Sequence, residues 1–189
     1  MLNETWKKLQ NGSDIRGVAM EGVEGQPVNL TPEIAKQIAC SFGAWLSERT
    51  GKLLSELTVA VGNDSRLSAG ELNGAVTQGL SMLGITVVDC GLCSTPAMFM
   101  TTVMEGYRYD GSVMLTASHL PFNRNGLKFF TKDGGLEKSD ITAILELAQE
   151  KIYTKAGKPG AIKSLDFIQV YAADLVRKIR NKTGEERPL

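Results

Sequence analysis

Four short apolar runs punctuate the chain: TVAVG (58–62), ITVVD (85–89), SVMLT (112–116) and LKFFT (127–131). Each is rich in β-branched or aromatic side chains and ends in turn or cap residues, which predicts four buried strands. Helical periodicity fills the gaps between the first three. Thr31-Pro32-Glu33 combines an N-cap, a first-turn proline and a first-turn acid. Behind it Ile34, Ile38, Phe42, Trp45 and Leu46 form one apolar face, and Gly51 ends the helix. Ser68-Ala-Gly-Glu71 has the spacing of a capping box and opens a helix that carries Leu72, Val76 and Leu80 to Gly84. Thr95-Pro96 starts a third, methionine-rich helix to about Gly106. Helices alternating with short apolar strands predict an α/β layer, its sheet of about four strands mostly parallel.

The last third has a different pattern. Ser139 or Asp140 caps a helix running to about Lys155, with Ile141, Leu145 and Ala148 on one side. KAGKPGAIKSLD then reads as a Gly/Pro/Lys connector and is the best boundary candidate. Beyond it LDFIQVYAADLVRKIRN is amphipathic, with Leu165, Ile168, Ala172, Leu175, Val176 and Ile179 on one stripe, and the polar tail KTGEERPL follows. A lone apolar-faced helix after a linker folds back, swaps to a partner, or leads into a further domain. These readings divide the chain into a domain over 1–157 and a linker with a lead-in helix over 158–189. There is no internal repeat and no low-complexity segment.

Composition narrows the class. Lys+Arg and Asp+Glu number 21 each, so the formal net charge is zero and the basic face that grips nucleic acid is not expected. No apolar run approaches the roughly 20 residues of a membrane span, and MLNETWKKLQNGSDIRG has no apolar segment of the signal-peptide kind. Three cysteines without a secretion signal point to a reducing compartment, and hence to the cytoplasm. Cys90-Gly-Leu-Cys93 has C-x-x-C spacing, but no second pair and a single distant histidine accompany it, so two small residues flanking a strand end is the better reading.

In α/β sheets ligands sit beyond the carboxyl ends of the strands. Three strand ends carry polar loops here: GNDSRLS, DCGLCSTP and TASHLPFNRNG. The last opens TASHLPFNRNGLKFFTKDGG (116–135), which holds the only histidine. Ser118 and His119 are adjacent, so on a strand they would point to opposite faces. No G-x-S-x-G and no G-x-x-x-x-G-K-[ST] is present, which argues against a hydrolase elbow and a P-loop. A phosphate site fits better. Ser118 can carry or receive a phosphoryl group, and His119 and Lys128 supply hydrogen bonds and charge. Arg16 and Arg66, in SDIRG and GNDSR, follow the same logic. A structural alternative stays open: Ser118 as a turn cap, His119 as a satisfied loop residue, Lys128 as a strand-edge charge.

Three motifs in order carry a resemblance. TASHLPFNRNGLKFF resembles the serine loop T-A-S-H-N-P…N-G-x-K of the α-D-phosphohexomutase family, the phosphomannomutase/phosphoglucomutase enzymes. SDIRG resembles that family's opening D-I-R-G or G-I-R-G motif, and VGNDSRLS its V-G-x-D-x-R-x-S loop. The match covers about residues 12–155 and implies a three-layer αβα first domain. It further implies that Ser118 is phosphorylated and exchanges its phosphoryl group with the sugar. His119 and Lys128 match the neighbours proposed to help proton transfer, Arg16 matches an arginine near that site, and Arg66 supports the loop. The implied ligands are Mg²⁺, bound through the phosphate on Ser118, and a hexose phosphate.

Two departures stand out. Leu120 replaces the asparagine usual after the histidine. The family's metal loop D-G-D-x-D-R and its later sugar- and phosphate-binding loops are absent from these 189 residues. The expectation is therefore an N-terminal, phosphoserine-bearing piece of a mutase that moves phosphate between the 1- and 6-positions through a bis-phosphorylated sugar. By itself such a piece lacks the further oxygens a hard cation requires. Two alternatives remain: a stand-alone binding or self-association module using the terminal helix, and a domain of a mutase for amino sugars, towards which NGLKFF leans.

Overall fold

Strands begin earlier than the apolar pattern predicts. After a short helix α1 (Glu4–Lys7), β1 (Gln10–Asn11) and β2 (Asp14–Val18) pair as an antiparallel hairpin. The computed structural model describes residues 1–183, so most of the tail KTGEERPL lies outside the described residues. There follow α2 (Pro32–Thr50), β3 (Thr58–Asn63), α3 (Ala69–Met82), β4 (Thr86–Leu92), α4 (Thr95–Val103) and β5 (Gly111–Leu115). Then come β6 (Arg124–Thr131), β7 (Gly134–Gly135), α5 (Lys138–Glu150), β8 (Ile162–Ser164) and α6 (Phe167–Thr183).

All eight strands join one mixed sheet in the order β1-β2-β6-β5-β3-β4-β8, with β7 on β6. The class is α/β in three layers, and the sheet exceeds the four strands the apolar runs predict. The additions are short or lie at the edges, where no apolar run is needed. β8 makes the point: all three of its residues are exposed, yet it pairs in parallel with β4 at Val87↔Ile162 and Val88↔Lys163, inside the stretch read as a connector. Gly160 permits this approach, since a side chain there would strike the Ile85 carbonyl.

Alternation along the central strands divides two cores. Val59, Val61, Val113 and Leu115 point to the face covered by α2, α3 and α5, where Ile38, Phe42, Leu72, Leu80, Ile141 and Leu145 are buried with them. Ala60, Val88, Cys90 and Met114 point to the other face, under Met98 of α4 and Phe167 of α6. That layer packs closely: a Cβ on Gly62 would lie 2.6 Å from Met98 Sδ. Cys90 and Cys93 belong to this core. Burial pushes the Cys90 thiol up to about 12, and pushes Cys93 up as well, so they pack as small neutral groups. Among the described residues no three His, Cys, Asp or Glu side chains gather as metal ligands, and no helix is long and apolar enough to cross a membrane.

Caps agree with the sequence for α2, where Thr31 Oγ1 accepts the Ile34 N–H at 3.3 Å and Gly51 closes the helix at φ 70°. They differ for α3. Ser68 has helical backbone angles and makes no side-chain cap; its Oγ instead accepts from Asn125 Nδ2 at 2.9 Å. α4 is capped by Ser94 and ends at Val103, and α5 starts at Lys138, the Asp140 carboxylate accepting the Glu137 N–H at 3.0 Å. β3 is central, with β4 on one side and β5 on the other. The connections through α3 and α4 run over opposite faces, so the strand order reverses between β3 and β5 and opens a crevice at their carboxyl ends.

Candidate active site at the carboxyl ends of β3 and β5

The crevice is formed by residues 63–67 and 116–124. Asp64 follows β3, and its N–H donates to the Leu115 carbonyl at 3.0 Å. Its carboxylate then holds both sides of the opening: Oδ2 accepts from Thr116 Oγ1 at 2.6 Å, and Oδ1 accepts the Arg66 N–H at 3.1 Å. Thr116 Oγ1 in turn accepts the Ser118 N–H at 2.9 Å. The open cleft here, about 350 Å³, is lined by Asp64, Arg66, Leu67, Ser118, Leu120 and Phe122. Larger grooves of about 740 and 920 Å³ lie along α4 and α6 and at the far end of the sheet, and neither is lined by a serine, histidine or cysteine.

β5 ends at Leu115, so Ser118 and His119 are not on a strand. Ser118 adopts φ 55°, a left-handed conformation that costs a non-glycine residue on the order of 1–2 kcal/mol. The turn puts both side chains on one side: Ser118 Oγ lies 3.4 Å from His119 Nδ1, and both residues are exposed. The opposite-face rule applies only to extended backbone, and the sharp turn at Ser118 is the case in which it does not separate the two side chains. Leu120 still serves the loop through its backbone, donating to the Ala117 carbonyl at 3.1 Å.

Arg16 and Lys128 meet at a residue the sequence reading did not single out. On β2, Asp14 and Arg16 are two apart and share a face. β2 pairs antiparallel with β6 at Ile15↔Leu127 and Arg16↔Gly126, and continuing that register sets Asp14 opposite Lys128. Asp14 Oδ2 accepts from Lys128 Nζ at 2.6 Å and from Arg16 Nη2 at 3.2 Å. Arg16 Nη1 donates to the Ala117 carbonyl at 3.1 Å, just before Ser118. Two cations thus share one carboxylate beside the serine loop, leaving one net positive charge. Gly126 makes the approach possible: a side chain there would collide with the Ile15 carbonyl and come within 3.1 Å of Arg16 Cγ. The D-x-R spacing in both SDIRG and GNDSR was the available signal for Asp14 and Asp64, each acid two positions before an arginine.

Asn125, from the same NG pair, is fully buried. Its Nδ2 reaches Ser68 Oγ and its Oδ1 accepts the Gly126 N–H at 2.9 Å, so β6 is tied to the start of α3. The assembled site offers an exposed hydroxyl beside an imidazole, with a cationic pair under the preceding carbonyl.

With this geometry in place, comparison with known proteins is specific. The family described as phosphoglucomutase/phosphomannomutase, alpha/beta/alpha domain I, matches residues 7–155. A phosphoglucosamine mutase of Nautilia profundicola is 40% identical over 115 residues, 60% of this chain and 24% of that protein. A phosphoglucomutase/phosphomannomutase of Thermococcus kodakarensis is 32% identical over 182 residues, 95% of this chain and 36% of that protein. The crystal structure of a phosphoglucomutase/phosphomannomutase family protein from Burkholderia thailandensis superposes with TM-score 0.73 at 26% identity, covering 94% of this chain and 36% of that one. The chain thus spans well under half the length of these relatives.

Proposed function

The chain belongs to the phosphoglucomutase/phosphomannomutase family, as its alpha/beta/alpha domain I, and from that membership we propose that Ser118 carries a phosphoryl group exchanged with a hexose phosphate. A sugar hydroxyl oxygen attacks phosphorus on phospho-Ser118, the P–Oγ bond breaks, and Oγ leaves with the bonding pair. The hydroxyl gives its proton to a base, and Oγ takes one up. The reverse step, on the other phosphate of the bis-phosphorylated sugar, regenerates phosphoserine and completes the 1,6-exchange.

The observation that carries this reading is the exposed Ser118 Oγ 3.4 Å from His119 Nδ1 at the strand-order switch. His119 is in reach to hold the proton that leaves or returns to Oγ. Lys128, paired with Asp14, supplies a fixed ammonium, and Arg16 steadies the carbonyl before the nucleophile while adding positive charge. The relatives' names make a hexose or hexosamine phosphate the substrate class of this proposal. A cytoplasmic setting, in keeping with three buried free thiols, belongs to the same reading.

Mg²⁺ would meet this chain through the phosphate on Ser118. No cluster of three ligating side chains occurs among the described residues, so they do not form a complete Mg²⁺ site, and the roles assigned here use the chain's own groups alone.

The test follows the serine. In an enzyme containing this domain, intact mass and peptide mapping after incubation with a bis-phosphorylated hexose and Mg²⁺ should find one phosphoryl group, on Ser118, and Ser118→Ala should abolish both label and turnover. Unchanged turnover in Ser118→Ala refutes the nucleophile role. A second reading, self-association through α6, is favoured by the outward stripe of Leu175, Val176 and Ile179, which are 40, 36 and 45% exposed. Sedimentation equilibrium decides it: a monomer at high micromolar concentration removes it.

A further inference from the structure

The strained backbone at Ser118 needs something to hold it, and the hydrogen bonds around Arg66 identify what does. Its Nη2 donates to the carbonyls of Ser118 at 2.7 Å and Leu120 at 2.9 Å. Its Nη1 donates to the carbonyls of Pro121 and Arg124, both at 2.9 Å. Its Nε lies 3.3 Å from Asp64 Oδ2. A guanidinium has five N–H groups in a fixed planar fork, and here the four on Nη1 and Nη2 each donate to a main-chain carbonyl, while Nε is in ion-pair contact with Asp64 without a hydrogen bond. The side chain is 11% exposed. On the other side of Ser118, its N–H donates to Thr116 Oγ1, which donates to the same Asp64 carboxylate. Both backbone polar groups of Ser118 are therefore held by one unit anchored at residues 64–66.

We propose that Arg66 is a positioning residue: with Asp64 and Thr116 it closes residues 118–124 into a ring and imposes the left-handed backbone that presents Ser118 Oγ beside His119. This deepens the phosphoserine reading and rests on it for its catalytic meaning. With its four terminal N–H groups committed to main-chain carbonyls, Arg66 acts through the loop and not as a ligand of the sugar phosphate. Lysine could not replace it. An ammonium has three donors on a flexible stem and lacks the planar fork that reaches four carbonyls at once.

The experiment uses the chain as it stands, ¹⁵N,¹³C-labelled. The sign of φ at Ser118 is read from its one-bond Cα–Hα coupling and intraresidue cross-peaks. The unmodified chain should give the positive-φ signature at Ser118. Arg66→Lys, which keeps a cation at the position, should lose it or show averaging across residues 118–124, with the core resonances of Val113, Leu127 and Phe129 unmoved. Thr116→Val should weaken the same signature from the other side. If Ser118 keeps positive φ in both variants, the brace is refuted. If the core shifts as widely as the loop, Arg66 is a general stability residue and the positioning role is also refuted. Neither result depends on phosphoryl transfer, so failure of the nucleophile role in Ser118→Ala is separately visible.

Discussion

Replacing Asp14 by asparagine removes one negative charge from the junction of β2 and β6 while keeping the side chain's shape. The carboxylate is 14% exposed, and the two cations it joins, Arg16 and Lys128, are 16 and 26% exposed. Removing one partner of a fully buried ion pair costs about 3–5 kcal/mol, because the remaining charge is stranded. A fully exposed pair is worth about 0–1 kcal/mol. This cluster lies between those limits, nearer the buried one, and the amide oxygen retains one acceptor, so a loss of about 1.5–3 kcal/mol is expected. For a domain of this size each kcal/mol moves the Tm by about 2–4 °C, so the melting point should fall by about 3–12 °C. Differential scanning calorimetry at neutral pH measures it. The electrostatic origin is tested by a second change, Lys128→Met, made alone and together with Asp14→Asn. Removing one stranded cation should make the double variant less destabilised than the sum of the singles by at least about 0.5 kcal/mol. A Tm within 1 °C of the parent for Asp14→Asn, or strict additivity in the cycle, would refute the shared-carboxylate account.

Three further outcomes are expected. Burial holds the thiol of Cys40 up to about 11 and that of Cys90 up to about 12, above the ordinary value of 9.0 they regain on unfolding; the folded state therefore keeps protons the unfolded chain releases, and stability falls as pH rises from about 9 towards 12, checked by urea melts across that range and by slow thiol labelling of the native protein. Phe167 is fully buried, with its ring edge-on to Tyr107 at 5.0 Å, so Phe167→Ala should cost about 3–5 kcal/mol of local stability, seen as faster hydrogen exchange confined to residues 165–183; unchanged exchange there would mean α6 is held by other contacts. The 189-residue chain alone, given glucose 1-phosphate, Mg²⁺ and a bis-phosphorylated activator, should show no mutase turnover in a coupled assay, because its described residues do not complete a Mg²⁺ site; robust turnover would overturn that view.

Local chemistry alone determined a good deal of this protein. Thr31, Pro32 and Gly51 announce α2 because caps act within one helical turn. The four apolar runs announce β3, β4, β5 and β6 because their side chains are buried whatever lies beside them. The three motifs carried the family for a related reason: their spacing within each loop is short and survives without knowledge of the fold. What only the tertiary structure decided are pairings between distant segments. β8 forms from an exposed, apolar-poor stretch because the unpaired edge of β4 supplies its partner. Ser68 gives up its cap to hold Asn125, 57 residues away. Asp14 joins Lys128 across 114 residues through a strand register that no local pattern encodes. Ser118 turns into a left-handed conformation because Arg66, 52 residues earlier, captures its carbonyl. In each case the deciding energy is a contact made only once the sheet is assembled, which is why the loop's chemistry could be read along the chain and its geometry could not.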